Sequence, residues 1–201
     1  MYDPEPDEPL IPGAPPGWDH NPSAWSHRRW LVGLALLGLA IASYLTLYQA
    51  GLVRQIWDPV FGAGSVIVLH SWVSRTLPVP DAALGVLAYL VEVVLGALGG
   101  TERWHTRPWL VFALGVAVCL FGLTSILLVI AQPALFHAWC TLCLASAVIS
   151  LALVGLTVDE VLASLHELDR VGADGGSRWR AFWGLEPGAD RDHHPAPGQP
   201  A

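Results

Sequence analysis

The sequence predicts an all-α membrane protein: a four-transmembrane-helix bundle with a short external amphipathic helix and disordered termini. Three observations lead there. The 201 residues are 53% hydrophobic and 13% charged, whereas soluble domains carry about 25% charged residues, so lipid is the solvent this chain suits. Four apolar runs, near residues 30–52, 82–99, 109–128 and 140–158, match the roughly 20 residues that a helix rising about 1.5 Å per residue needs to cross about 30 Å of hydrocarbon. Trp30, Trp72, Trp109 and Trp139 stand at or near the ends of these runs, where an amphipathic ring prefers the headgroup region.

Residues 1–29 are acidic, rich in proline and poor in aliphatic side chains, and cannot bury enough apolar surface to offset the entropy of ordering. They are expected to be a disordered cytoplasmic tail. The first apolar run starts too late and lasts too long for a cleaved signal peptide, so it reads as a retained anchor. Between the first and second runs, Val53 to Asp81 contains Val66-Ile67-Val68-Leu69 followed by Trp72 and Val73. That pattern predicts a short amphipathic helix lying at the membrane surface and capping the mouth of the bundle. The second run is the shortest and holds Glu92. A charge at mid-span costs about 2.5–3.5 kcal/mol on insertion scales, so Glu92 is expected to be neutral, paired or facing a cavity, in a structural pairing or in a proton-handling or polar role. After the fourth run, Val161, Leu162, Leu165 and Leu168 keep helical spacing before a Gly-rich break, which predicts a cytoplasmic helix extension and then a disordered tail over 159–201. The membrane domain itself is 30–158.

Arginine placement orients the bundle. Arg28 and Arg29 precede the first span, Arg103 and Arg107 join the second to the third, and Arg170, Arg178 and Arg180 follow the fourth, against Arg54 and Arg75 in the first external loop. The excess puts both termini in the cytoplasm of a multi-pass cell-membrane protein, with the start of the fourth span outside. The formal charge of −7 gives no support to a nucleic-acid partner.

The chain has three cysteines, Cys119, Cys140 and Cys143. Cys140 and Cys143 open the fourth span one helical turn apart, where two sulfurs can close a disulfide. Near a helix N-terminus the partial positive charge favours a thiolate, making it a better nucleophile and leaving group. Zinc would need further ligands, and no metal is expected. A c-type haem would need histidine where Leu144 stands. A redox couple and a pair of small buried apolar residues both remain open from the spacing alone. Cys119, midway along the third span, is expected in the inert core. His70 and His137 lie near the external surface, where a histidine can shuttle protons but usually does nothing specific.

Several segments together resemble the bacterial homologues of vitamin K epoxide reductase. They are Gly38-Leu39-Ala40-Ile41-Ala42-Ser43-Tyr44-Leu45 in the first span, Val68-Leu69-His70-Ser71 in the external loop, Leu84-Gly85-Val86-Leu87-Ala88-Tyr89 opening the second, and Trp139-Cys140-Thr141-Leu142-Cys143 at the fourth. The resemblance covers about Trp30 to Val158. It implies a four-helix membrane oxidoreductase that couples thiol–disulfide exchange to reduction of a membrane quinone, of menaquinone or ubiquinone type, and so supports disulfide formation outside the cytoplasm. By the same resemblance Cys140 is the exchanging cysteine, Cys143 the quinone-proximal one, Ser71 and Tyr89 are quinone contacts, and the partner is a thioredoxin-like extracytoplasmic thiol protein. One departure matters: the family's second cysteine pair in the external loop falls on Trp57 and Ser65 here. That loss motivates two alternatives, a same-fold quinone- or partner-binding subunit without steady turnover, and a thiol redox sensor.

Overall fold

The computed structural model describes residues 13–15, 17–62, 64–70 and 81–185. Ser71, and the part of the expected surface helix beyond residue 70, lie outside the described residues. The described residues form helices and connections without a strand. In chain order these are α1 (Trp25–Gln49), α2 (Gly64–Leu69), α3 (Asp81–Ala97), α4 (Arg103–Thr106), α5 (Pro108–Ala131), a π-helical turn (Gln132–Phe136), α6 (Thr141–Ala173) and α7 (Arg178–Phe182). The helices over Trp25–Gln49, Pro108–Phe136 and Thr141–Ala173 are long and apolar enough to cross a membrane, and the apolar α3 is shorter. The chain divides into two compact units.

One unit comprises Ala24–Leu98 and Ala113–Asp159. Its core gathers Leu31, Ala35 and Ala42 of α1, Tyr89 of α3, Leu114 and Val118 of α5, and Ile149 and Leu153 of α6. Small residues set how closely α1 and α3 approach. The ring of Tyr89 lies directly over Gly38, where any Cβ would collide with it, and a Cβ on Gly96 would meet Leu31 at 2.6 Å. In lipid, association rests on packing rather than on exclusion of water, so such close approach is what holds helices together. Arg28 secures the far end of the same pair. Its side chain is buried and donates to the Gly96 carbonyl from Nε at 3.0 Å and from Nη2 at 2.7 Å, and to the Leu98 carbonyl at 2.8 Å. These carbonyls belong to the last turn of α3 and the residues just past it, which have no intrahelical donor. A cation there also complements the helix dipole.

Two expectations change in this unit. The first helix begins at Trp25, inside the segment expected to be disordered. Cys119 is exposed on the outside of α5, not in the core. The run around it is apolar on every side, so sequence alone does not say which face turns inward.

The other unit comprises residues up to Ser23, Gly99–Phe112 and the chain from Glu160 onward. At its centre the buried Arg103 guanidinium forks onto Glu160, from Nε to Oε1 at 2.5 Å and from Nη2 to Oε2 at 2.5 Å. The Ser23 hydroxyl also donates to Glu160. Paired and fully hydrogen-bonded, these charges tolerate burial. The N-terminal segment is tied in by Trp104 Nε1 donating to the Gly13 carbonyl at 3.1 Å and Asn21 Nδ2 donating to the Thr101 carbonyl at 3.1 Å. Thus part of the tail expected to be disordered has defined contacts. The helix expected after Val158 is the uninterrupted continuation of α6 to Ala173, and beyond the glycines a further short helix, α7, follows.

Candidate active site

The site is built where α5 hands over to α6. Pro133 cannot donate to an α-helical ladder, and the chain there widens into the π-helical turn, which ends at His137 in a left-handed conformation with φ 49°. The buried Gln132 organises the reversal. Its backbone carbonyl accepts the His137 N–H, and its side-chain Oε1 accepts the Cys140 N–H at 2.8 Å. Cys140 is thereby fixed as the residue that caps α6. Its carbonyl accepts the Leu144 N–H at 3.0 Å, and its Sγ receives the Cys143 N–H at 3.2 Å.

Cys140 and Cys143 are joined as a disulfide, with their Cα atoms 5.2 Å apart. The two sulfurs are not equally accessible: Cys140 is fully buried, whereas Cys143 is partly exposed. When the pair is reduced, the Cys140 sulfur sits at the N-terminus of α6 with the Cys143 N–H aimed at it, and both dipoles point towards negative charge on that sulfur.

A loop between α1 and α2 is fastened beside the pair. Asp58 accepts N–H bonds from Val60 at 3.2 Å, Phe61 at 2.9 Å and Ser65 at 3.3 Å, the Ser65 hydroxyl at 2.6 Å, and the Thr141 hydroxyl. Burial works against its charge, but the Ser65 and Thr141 hydroxyls and the Phe61 and Val60 amides outweigh it, holding the carboxyl well below the usual carboxylate range. Phe61 stacks on Trp139 with ring centroids 6.3 Å apart. Gly64 lies so close to the Trp139 carbonyl that no Cβ would fit. The loop is therefore fastened to Trp139 and Thr141, the residues on either side of Cys140. Ser65, at the place of an expected loop cysteine, is buried and committed to Asp58, while Trp57 is exposed and donates its backbone N–H to the Tyr44 hydroxyl at 3.1 Å.

Below the disulfide, Cys143, Ser146 and Ser150 follow one another on one face of α6. Tyr89 reaches that face: its hydroxyl is 2.7 Å from the Ser146 carbonyl, 2.8 Å from Ser146 Oγ and 3.0 Å from Ser150 Oγ. Glu92, one turn along α3 from Tyr89, is buried, and neither of its carboxyl oxygens has a hydrogen-bond partner among the described residues. The structure thus brings Cys140, Cys143 and Tyr89 onto or against one helix, with Glu92 deeper in the same unit.

Two residues of the site had escaped the sequence reading. Asp58 carries a local signal, an Asp-Pro step of the kind that opens turns. Gln132 is a polar residue before proline at the end of an apolar run, which marks a helix end but not a partner.

No curated protein matches the chain. A sequence model of the vitamin K epoxide reductase family matches residues 29–158, a stretch that contains α1 from Arg29 onward, all of α2 to α5, the Asp58 loop, and the cysteine pair opening α6. With a helical membrane architecture and a disulfide-forming pair at the head of its last long helix, this chain belongs to the vitamin K epoxide reductase family of membrane oxidoreductases.

Proposed function

We propose that this protein oxidises an extracytoplasmic dithiol at Cys140 and Cys143 and passes the electrons to a membrane quinone. The observation that carries the reading is the Cys140–Cys143 disulfide at the cap of α6, within the segment matched by the family. The accompanying topology is four crossings of the cell membrane, both termini in the cytoplasm and the cysteine pair at the external side. Residues 30–158 form the membrane domain, with cytoplasmic segments before and after it.

In the exchange step a partner thiolate attacks Cys140 Sγ. A mixed disulfide forms, the bond to Cys143 breaks, and Cys143 leaves as a thiolate that takes up a proton. The partner's second thiol then attacks the mixed disulfide, releasing Cys140 and an oxidised partner. Two electrons and two protons now reside on the pair. Because Cys140 is buried and the Asp58 loop is fastened to the residues on either side of it, the loop moves aside before the attack in this reading. The leaving Cys140 thiolate is stabilised by the Cys143 N–H and the N-terminus of α6.

A quinone supplies a two-electron, two-proton acceptor. The residues present suit one: Cys143 is the more accessible cysteine, the Tyr89 and Ser146 hydroxyls lie one turn below it, and Glu92 is a buried carboxyl with no hydrogen-bond partner among the described residues. Tyr89 and Ser146 would orient a quinone carbonyl, and Glu92 would hold a proton within the bundle.

The chain has no cysteine between α1 and α3, so a separate thioredoxin-like thiol protein must reach Cys140 itself. The test is to reduce the purified protein, remove reductant, add menaquinone or ubiquinone analogues and follow quinol formation by absorbance. One quinol per disulfide formed is expected. Re-formation of the disulfide without quinol would favour a redox sensor, and no reaction together with quinone found in the lipid extract would favour a binding subunit.

A further inference from the structure

The chain leaves α6 through Gly175 and Gly176 and turns back in α7, where Arg178-Trp179-Arg180-Ala181-Phe182-Trp183 is followed by Gly184-Leu185. This short helix is not adrift. Ala181 is buried, the Phe182 ring packs 5.6 Å from Phe112, and the Trp183 ring packs 6.3 Å from Trp109. Gly184 touches the Thr106 carbonyl so closely that a side chain there would collide. Phe112 and Trp109 belong to the first turns of α5, so the contact places α7 beside the point where that apolar helix starts.

What α7 turns outward is unusual for a surface in water. Trp179 is 68% exposed, and Trp183 and Leu185 are exposed beside it. Arg107, Arg178 and Arg180 are exposed on the same segments. Arg178 is 3.4 Å from Asp169, whereas the Arg107 and Arg180 side chains make no hydrogen bond or ion pair with any described residue. Apolar rings interleaved with arginines are the composition of a surface that lies in the membrane interface, with rings among the acyl boundary and guanidinium groups at phosphate level.

We infer that α7 and the start of α5 form a docking surface for the anionic phospholipid headgroups of the membrane that α5 enters. Charge complementarity selects the occupant, because juxtamembrane arginines are attracted to anionic lipid. Continuity selects its place, because Trp109 is at once part of the surface and the second residue of an apolar helix long enough to span. The inference is independent of the thiol and quinone chemistry.

Hydrogen exchange of the full chain in nanodiscs tests it. Discs of phosphatidylcholine alone are compared with discs in which phosphatidylglycerol replaces part of it, and the amides of residues 176–185 are followed with those of α1 as reference. Exchange of 176–185 should slow severalfold in the anionic discs, relax towards the neutral value at high salt, and lose its lipid dependence in Arg178→Gln/Arg180→Gln, with α1 unchanged. Trp179→Ala should reduce the protection in both kinds of disc. Equal exchange in the two lipids overturns the proposal. So does protection that persists in detergent, that rises only with two copies per disc, or that disappears when residues 187–201, with Asp190 and Asp192, are removed.

Discussion

The Asp58 carboxylate accepts the hydroxyl of Thr141, a contact that joins positions 83 residues apart and fastens the first loop to the residue following Cys140. Together with Phe61 on Trp139 it ties the loop to both chain neighbours of the more deeply buried cysteine. The proposed attack on buried Cys140 would then require this loop to yield, and Asp58 is what holds it in place.

Asp58→Asn removes the charge from a site that five donors address. Hydrogen bonds to charged groups contribute about 1.5–3 kcal/mol, and each 1.4 kcal/mol is about tenfold in an equilibrium. The disulfide should therefore be reduced roughly 10- to 100-fold faster by a small phosphine, as followed by alkylation and mass measurement. An unchanged rate would mean that the loop does not gate Cys140. The pH dependence has a definite sign. A carboxyl held below its ordinary value of about 3.9 contributes its stabilisation above that pH and loses it only as pH falls through the lower folded value. Access should thus be flat from about pH 7 down to about pH 4.

Gly38→Ala tests the α1–α3 contact. The new methyl would meet the Tyr89 ring, and overpacking a tight contact costs about 1–3 kcal/mol. The thermal midpoint in detergent should fall. Gly33→Ala, on the same helix with nothing within 4 Å, should leave it unchanged or raise it slightly, because alanine favours helix by up to about 1 kcal/mol over glycine. Equal effects at the two positions would contradict the packing.

What could be read in the sequence follows from what is local. The long helices were legible because lipid imposes a length and a composition on each run separately. The cysteine pair was legible because three residues of helix bring two sulfurs together. Asp58 and Thr141 were not, since no local pattern announces a partner 83 residues away. The face of Cys119 was hidden for a different reason: α5 is apolar all round, so periodicity gives no direction. The tail contacts of Gly13, Asn21 and Ser23 were missed because composition describes a segment's own capacity to fold, not its capacity to dock on Trp104, Thr101 and Glu160.

Glu92→Leu separates stability from function. A buried polar group without a partner costs about 1–3 kcal/mol, so replacing it with an apolar side chain of similar length should raise the thermal midpoint. If Glu92 holds a proton during turnover, the same variant should reduce quinone more slowly, while the rate of thiol exchange at Cys140 stays the same. Glu92→Gln should also slow quinone reduction. A variant that is more stable and equally active would assign Glu92 no part in proton handling.

The two cysteines of α6 should prove interdependent, and Cys119 dispensable. Exchange needs one sulfur to be attacked and a second to leave, so Cys140→Ser and Cys143→Ser should each abolish electron transfer to quinone. The double variant should be little worse than either, because residues acting as one catalytic unit are strongly non-additive. Cys143→Ala adds a structural readout: offered the partner in its disulfide form, the lone Cys140 thiolate can open that disulfide and release one partner cysteine as a thiolate, and with no Cys143 to displace the partner a covalent adduct at Cys140 should accumulate; Asp58→Asn in the same chain should increase its yield by freeing the loop. Cys119 stands apart on the outside of α5, in a run of apolar side chains where a thiolate would be poorly solvated and exchange slow. Cys119→Ala should therefore keep both rates near those of the unaltered protein. An essential Cys119 beside a replaceable Cys143 would move the redox centre off α6, and with it the role assigned here to the Asp58 loop.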